Sequence, residues 1–395
     1  MKKYITVTGL LLATSFAPLL AQKSPVKPTN TSTTSTPAEQ TVGDSPVMSP
    51  IIAKFRAGDY IGTMLASDEV INSDPKNSEA YYYRGLAKAE LGDNEGAIDD
   101  YTKTIELDGK NLTALLKRGH AKASIGDQSS AIEDFKQVSL IDPRNTDALM
   151  SMGNAKYLLS NYSGAIEDYT KAIQTNMAHN FEAYYKRGLA KSEWGKYEDA
   201  IVDFTKVIEL YPKYNYAYFY RGYAKNHLND YQGAIQDYSK VIQLDPLDQE
   251  AYFNRGMSKA NIQDYAGAIK DFTKAIEIDS KFEQAYFYRG ESKFLSKDIK
   301  GAEEDFNLVV EMLPHSKDAY LNRGLFYLDN GQINKAIEDF TKGLTLANDP
   351  DLYYFRGLAK INSNDKGGGC DDLQKAEKLG HREAKYEAKR LCKRK

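Results

Sequence analysis

The dipeptide Arg-Gly returns along this chain at a nearly constant interval, and that periodicity restricts the fold more than any other feature. It stands at Arg84-Gly85, Arg118-Gly119, Arg187-Gly188, Arg221-Gly222, Arg255-Gly256, Arg289-Gly290, Arg323-Gly324 and Arg356-Gly357, with Met152-Gly153 filling the one gap. The interval is 34 residues, with one of 35 and one of 33. A period of this length means that one supersecondary block is copied and that each copy buries its apolar face against the next, as in a solenoid.

Each period predicts two helices. The first begins near a tyrosine (Tyr81, Tyr184, Tyr218, Tyr252, Tyr286, Tyr320 or Tyr353) and stops at a residue such as Gly92, Gly126, Asn229 or Gly331. Asp93, Asp127, Asn161, Asp230, Asp264 and Asp298 follow as N-caps, since their side chains can accept the free N–H groups that open the second helix. That helix carries apolar residues at helical spacing, as in Ala97, Ile98, Tyr101 and Ile105. A proline closes several periods, at Pro75, Pro143, Pro212, Pro246 and Pro314.

When each period is numbered so that its glycine is position 8, position 20 is Ala97, Ala131, Ala165, Ala200, Ala234, Ala268, Ala302 or Ala336. Position 24 is Tyr101, Phe135, Tyr169, Phe204, Tyr238, Phe272, Phe306 or Phe340. Small residues at 8 and 20 let two helices approach closely. This pattern resembles the tetratricopeptide repeat family over roughly residues 44–380. The resemblance implies an all-α fold, a right-handed superhelical solenoid of antiparallel helix pairs with a 34-residue period. It also implies a protein that binds partners and is not an enzyme.

The ends of the array differ from its middle. Gly58-Asp59-Tyr60 and Asp74-Pro75 mark a degenerate N-terminal repeat at 44–77, and eight repeats follow over 78–349. At 350–395 a ninth repeat has Gly369 in place of the small alanine and leads into a charged capping helix. Terminal copies face water on one side, so degeneracy at both ends suits caps. Before the array, Lys2 and Lys3 precede an apolar run from Tyr4 to Leu20, which predicts a signal peptide at 1–21 and export to the periplasm or beyond, in a Gram-negative bacterium. Residues 22–43 are Ser, Thr, Pro and Asn with almost nothing to bury, a disordered linker. Cleavage removes two lysines and no acid, moving the net charge from −3 to −5, and leaves no stable membrane span. That charge and a pI near 6.1 argue against nucleic acid as a partner.

Three charged columns depart from the family pattern, which is more apolar at positions 7 and 11. Position 7 is arginine in eight of nine repeats. Position 11 is lysine in eight, Lys88 and Lys122 being the first two, with Tyr327 the exception. Position 23, on the second helix, is aspartate in all nine. Positions 7 and 11 share a helix face. The expectation is an internal ion ladder pairing Arg84 with Asp100, Arg118 with Asp134, Arg187 with Asp203, Arg221 with Asp237, Arg255 with Asp271, Arg289 with Asp305 and Arg323 with Asp339. The competing reading is an electrostatic stripe that recruits a charged partner. Met152, facing Asp168, is an internal control.

Ligands of this family usually lie against positions 2, 5, 9 and 12 of the first helices. Carried onto this chain, those positions give an aromatic groove of Tyr82, Tyr185, Phe219, Tyr223, Phe253, Phe287, Phe294 and Tyr354, edged by Glu79, Glu182 and Glu250. The best-known members clamp a C-terminal carboxylate with lysine at position 5 and asparagine at 9. Here position 5 is never lysine and Asn154 stands alone at 9, so that clamp is absent. An aromatic, acid-edged groove suits a basic or amphipathic peptide or protein segment. The alternative is a glycan stacked on the rings, and the structural reading is that the rings pack against neighbouring helices.

Cys370 and Cys392 are the two cysteines. They fall at the start of one helix and the end of the next, which antiparallel packing brings together, so export predicts a disulfide. His120, His179, His227, His315 and His381 are scattered without metal-ligand spacing. No nucleophile elbow, phosphate loop or zinc-protease motif is present, so no catalytic residue, cofactor or metal is assigned.

Overall fold

The structure, a computed structural model, describes residues 47–175 and 180–392. The signal peptide and linker read at 1–43 lie outside these residues. Among the described residues the chain is all-α, an array of 21 helices in two compact bodies. The N-terminal body, 47–228, holds α1 (Ser49–Arg56), α2 (Tyr60–Ser73), α3 (Ser78–Glu90), α4 (Asn94–Leu107), α5 (Leu112–Ser124), α6 (Gln128–Ile141), α7 (Thr146–Leu158), α8 (Tyr162–Thr175), α9 (Phe181–Glu193), α10 (Tyr197–Leu210) and α11 (Asn215–His227). The C-terminal body, 229–392, holds α12 (Tyr231–Leu244), α13 (Gln249–Asn261), α14 (Tyr265–Ile278), α15 (Glu283–Leu295), α16 (Ile299–Met312), α17 (Lys317–Asp329), α18 (Ile333–Leu346), α19 (Pro350–Asn362), α20 (Lys366–Lys378) and α21 (Ala384–Leu391).

Capping residues set the helix starts. Asp93, Asp127, Asn161, Asp230, Asp264 and Asp298 each accept the N–H three residues on, at 2.9–3.1 Å. The first helices begin three residues before the tyrosines that the sequence reading used, because a second set of caps stands there. Asn77, Asn111, Asn145, Asn180 and Asp248 accept the N–H of the alanine at position 3, at 2.9–3.2 Å. Each such cap stabilises its helix by about 1 kcal/mol. Between paired helices the chain passes through a left-handed residue, Gly92 (φ 86°) or Gly126 (φ 87°), and in some repeats a non-glycine such as Gln263 or Lys297.

Paired helices run antiparallel. In the first full repeat the Thr104 hydroxyl reaches the Ser78 carbonyl at 3.3 Å, while at the other end Lys88 Nζ donates to the Gly96 carbonyl at 3.3 Å. The alanines at position 20 are fully buried, and the position-24 rings are at most 1% exposed. The glycine at position 8 is what admits those rings. A Cβ on Gly153 would lie 2.6 Å from Cε1 of Tyr169, far inside contact distance.

Candidate functional site

The charged columns meet inside the repeats. In Arg84–Asp100, Arg118–Asp134, Arg187–Asp203, Arg255–Asp271, Arg289–Asp305 and Arg323–Asp339, and again in Arg356–Asp372, the arginine donates a fork of two hydrogen bonds. Nε reaches Oδ2 at 2.8–3.0 Å and Nη2 reaches Oδ1 at 2.5–2.7 Å. The lysine one turn on adds a second cation, from Lys88 to Asp100 at 2.8 Å and from Lys293 to Asp305 at 2.9 Å, for example. These aspartates are 1–8% exposed at the side chain and the forked arginines 14–20%. Arg221 belongs to the N-terminal body and Asp237 to the C-terminal one. Arg221 Nη1 donates to the Thr205 hydroxyl at 3.1 Å, and Asp237 is buried.

Two further columns serve the arginines, one that sequence reasoning missed and one, the tyrosines, that it took only as a mark of helix starts. The third guanidinium donor, Nη1, reaches back to the second helix of the preceding repeat: to Asp68, Thr102, Thr170, Ser239, Thr273, Asn307 or Thr341, at 2.6–3.2 Å. Each guanidinium therefore ties three successive helices together. The signal was legible as a Thr, Ser or Asn at position 25, with Lys136 in that column just where the next repeat has Met152 in place of arginine. The tyrosines at position 4 form the second column. Arg84 lies over the Tyr81 ring at 5.3 Å and Arg289 over Tyr286 at 5.2 Å, cation–π contacts that recur at Tyr184, Tyr218, Tyr252, Tyr320 and Tyr353.

Incomplete rungs carry the cost of burial. Asp168 belongs to the repeat with Met152 in the arginine position; it has Lys156 at 2.6 Å, and burial raises its carboxyl above the ordinary value. Asp339 has its arginine but Tyr327 in the lysine position, and burial raises it too. Tyr327 instead donates its hydroxyl to Glu303 at 3.1 Å.

The groove residues divide, and part of the expected surface is corrected. Tyr185, Phe219 and Phe287 are buried, at 3%, 6% and 1% exposure, and are core rings rather than ligand contacts. Tyr185 packs between Phe204, Tyr214 and Tyr220, with ring centroids 5.2–6.2 Å apart. Phe219 meets Tyr220, and Phe287 meets Tyr288 and Phe306. Tyr82, Tyr223, Phe253, Phe294 and Tyr354 are half-buried. Phe253 packs on Phe272, Phe282 and Tyr288, Phe294 on Phe326, and Tyr354 stacks on His381 at 4.0 Å. The acids Glu79, Glu182 and Glu250 all stand in the first turn of their helices, where the N-terminal end of the helix dipole favours a negative charge. That placement gives the acidic edge a structural cause.

Cys370 and Cys392 form a disulfide with Cα atoms 5.7 Å apart, fastening α21 to α20. Among the described residues no group of three or more His, Cys, Asp or Glu is placed to hold a metal ion. No described helix is long and apolar enough to cross a membrane.

Models of the tetratricopeptide repeat match residues 79–110, 181–214, 216–247, 249–282 and 317–350. Among solved structures, the chain is similar to the C-terminal part of a TPR repeat-containing protein from Cytophaga hutchinsonii. Identity is 20%, the match covers 60% of this chain and 96% of that one, and the TM-score is 0.54. It is also similar to a tetratricopeptide repeat protein from Parabacteroides merdae, with 23% identity over 62% of this chain and 96% of that one, TM-score 0.50. At these identities the likeness is one of fold. No curated protein matches the chain.

Proposed function

We propose that this chain, an all-α array in which five stretches match models of the tetratricopeptide repeat, is a non-catalytic protein-interaction scaffold that holds a peptide or partner segment against its first helices. The observation that carries this reading is a contrast between columns. Positions 7, 8, 20, 23 and 24 hardly vary from repeat to repeat, and their side chains are consumed inside the fold. Position 9 varies in every sense, running Leu86, His120, Asn154, Leu189, Tyr223, Met257, Glu291, Leu325 and Leu358. Leu325 and Leu358 are core, but within the N-terminal body the half-buried Leu86, His120, Asn154, Leu189 and Tyr223 change chemistry along an otherwise uniform frame, which suits an extended ligand read residue by residue. Since Asp and Arg neutralise each other internally, a charged stripe is not the recruiting feature. The burial of Tyr185, Phe219 and Phe287 removes rings on which a glycan would stack, which favours the peptide reading.

The second part of the proposal is export to the envelope of a Gram-negative bacterium. It is supported by the Lys2-Lys3 start with its apolar run, and by a disulfide, which persists in oxidising compartments. Fractionation with mass spectrometry of the mature N-terminus tests it, and an uncleaved cytoplasmic chain would end it. A photo-crosslinking residue at Leu189 or Met257 tests the binding face, with Lys206 and Lys274 on second helices as controls. One partner trapped from the first-helix positions alone is expected. Equal trapping from the controls would overturn the reading.

A further inference from the structure

In the N-terminal body, Tyr197, Tyr223 and His227 form a ring cluster near the end of α9, where Glu193 stands. Glu193 is the last residue of α9, Tyr157 lies near the end of α7, and Tyr197 opens α10. Tyr223 and His227 lie one turn apart in α11. Tyr197 stacks on His227 with ring centroids 4.4 Å apart and an interplanar angle of 7°. Tyr223 stands 4.5 Å from His227 and 6.5 Å from Tyr197. The rings of Tyr157, Tyr197 and Tyr223 are half-buried, so each keeps part of its surface open, and Glu193 is exposed at the rim.

The Glu193 carboxylate has no hydrogen bond or ion pair among the described residues. The nearby lysines are otherwise engaged. Lys156 is 2.6 Å from Asp168, Lys191 is 2.9 Å from Asp203, and Lys196 Nζ sits 3.7 Å over the Trp194 ring. Partial burial at the end of α9 raises the Glu193 carboxyl above the ordinary value. Its charge acts in turn on the phenols of Tyr157, Tyr197 and Tyr223, adding to the larger effect of their own burial. A carboxylate with no internal partner, whose charge acts on three electron-rich rings, has one natural complement, a weakly hydrated organic cation that can shed water against π faces.

We propose that Glu193, Tyr157, Tyr197 and Tyr223 form a binding site for a single organic cation, the ammonium or guanidinium of a basic side chain on the partner segment. This rests on the partner-binding reading above and gives that segment a chemistry. The carboxylate supplies the charge, and the rings supply a desolvated wall. Phenol hydroxyls at the edge can accept hydrogen bonds from the cation's N–H groups. The carboxylate would repel an anionic segment.

The test uses the full chain with isotopically labelled tyrosine rings and small probes: acetyl-lysine methylamide, acetyl-arginine methylamide, choline, the uncharged acetyl-norleucine methylamide, and a chito-oligosaccharide. The cations should shift the resonances of Tyr157, Tyr197 and Tyr223 saturably and quench or enhance Trp194, the single tryptophan, one residue from Glu193. Glu193→Gln should weaken them about tenfold, and Tyr223→Leu by a similar factor. Glu193→Gln should melt no lower than the parent, since Glu193 has no internal partner to lose and its carboxyl is already raised by burial. Tighter binding of the amino-acid amides identifies a basic side chain as the source, and tighter binding of choline identifies a free alkylammonium. Equal binding to the Gln variant, equal shifts from the norleucine amide, or shifts from the sugar alone would overturn the site. If the cations fail while crosslinks at Leu189 still trap a partner, the cation site falls and the scaffold stands.

Discussion

At the scale of single residues, the Arg–Asp–Lys rung decides stability by how much of it is out of water. In the Asp305 rung the acid is 2% exposed and takes the Arg289 fork and the Lys293 ammonium together. Asp305→Ala leaves two cations in a site from which water is largely excluded, and should cost about 3–5 kcal/mol. The exposed pair Lys274–Glu277, also within hydrogen-bond distance, is the control. Glu277→Ala should leave the unfolding midpoint close to the parent's, because solvent screens the pair and the side chains lose entropy in forming it. Urea titration of both variants checks the contrast, and similar costs would refute it. Glu291 on α15 behaves oppositely, because burial without a partner pushes its carboxyl up to about 7. A raised acid favours the folded state below its ordinary value, and that contribution is lost as pH rises through 7. Glu291→Gln should therefore melt close to the parent near about pH 5, and be more stable by about 1–3 kcal/mol near about pH 8. A difference that does not change with pH would contradict this.

At the scale of helices, the C-terminal cap is the element whose stability depends most on one bond. The helix α21 has eight residues and only Ala384 is buried, so neither length nor packing would hold it alone. Its disulfide closes a loop of sequence separation 22, a constraint worth about 3 kcal/mol. The adjoining α19–α20 contact is tight in its own right, since a Cβ on Gly369 would lie 2.6 Å from the Gly357 carbonyl. The double variant Cys370→Ser, Cys392→Ser should thus expose Lys385, Lys389 and Arg390 to trypsin while α19 and α20 stay resistant. Unchanged cleavage at those three sites would show that the cap holds without its bond. The helix pairs themselves were legible in the sequence, because Arg-Gly, Ala and the aromatic at position 24 recur in register. The burial of Tyr185 was not. Position 5 says which face of its own helix a ring occupies, whereas Tyr214 and Tyr220, one repeat later, decide whether that face is covered. The hydroxyl column escaped for a related reason, since Thr102 serves Arg118 in the next repeat rather than a residue in its own.

At the scale of the whole molecule, contacts among the described helices of each body run between neighbours in sequence or helices two apart, as between α3 and α4, α4 and α5, and α3 and α5. Such a chain distributes stability as a sum of repeat and neighbour terms rather than as one core. The guanidinium links reinforce this locality, because each spans only the preceding and the present repeat. A defect should then spread by about one repeat and fade. In Asp100→Ala, Arg84 loses its fork and Lys88 its partner, at the α3–α4 pair. Amide exchange should accelerate in α3 and α4, less in α2 and α5, and not in α9 and α10 of the same body. In a single cooperative core, every helix of the body would lose protection by the same amount, because all would exchange through one global opening. Uniform acceleration across α2 to α11 would therefore count against nearest-neighbour stability. A graded profile would support it, and would mean that a segment bound along several repeats stabilises each repeat it touches.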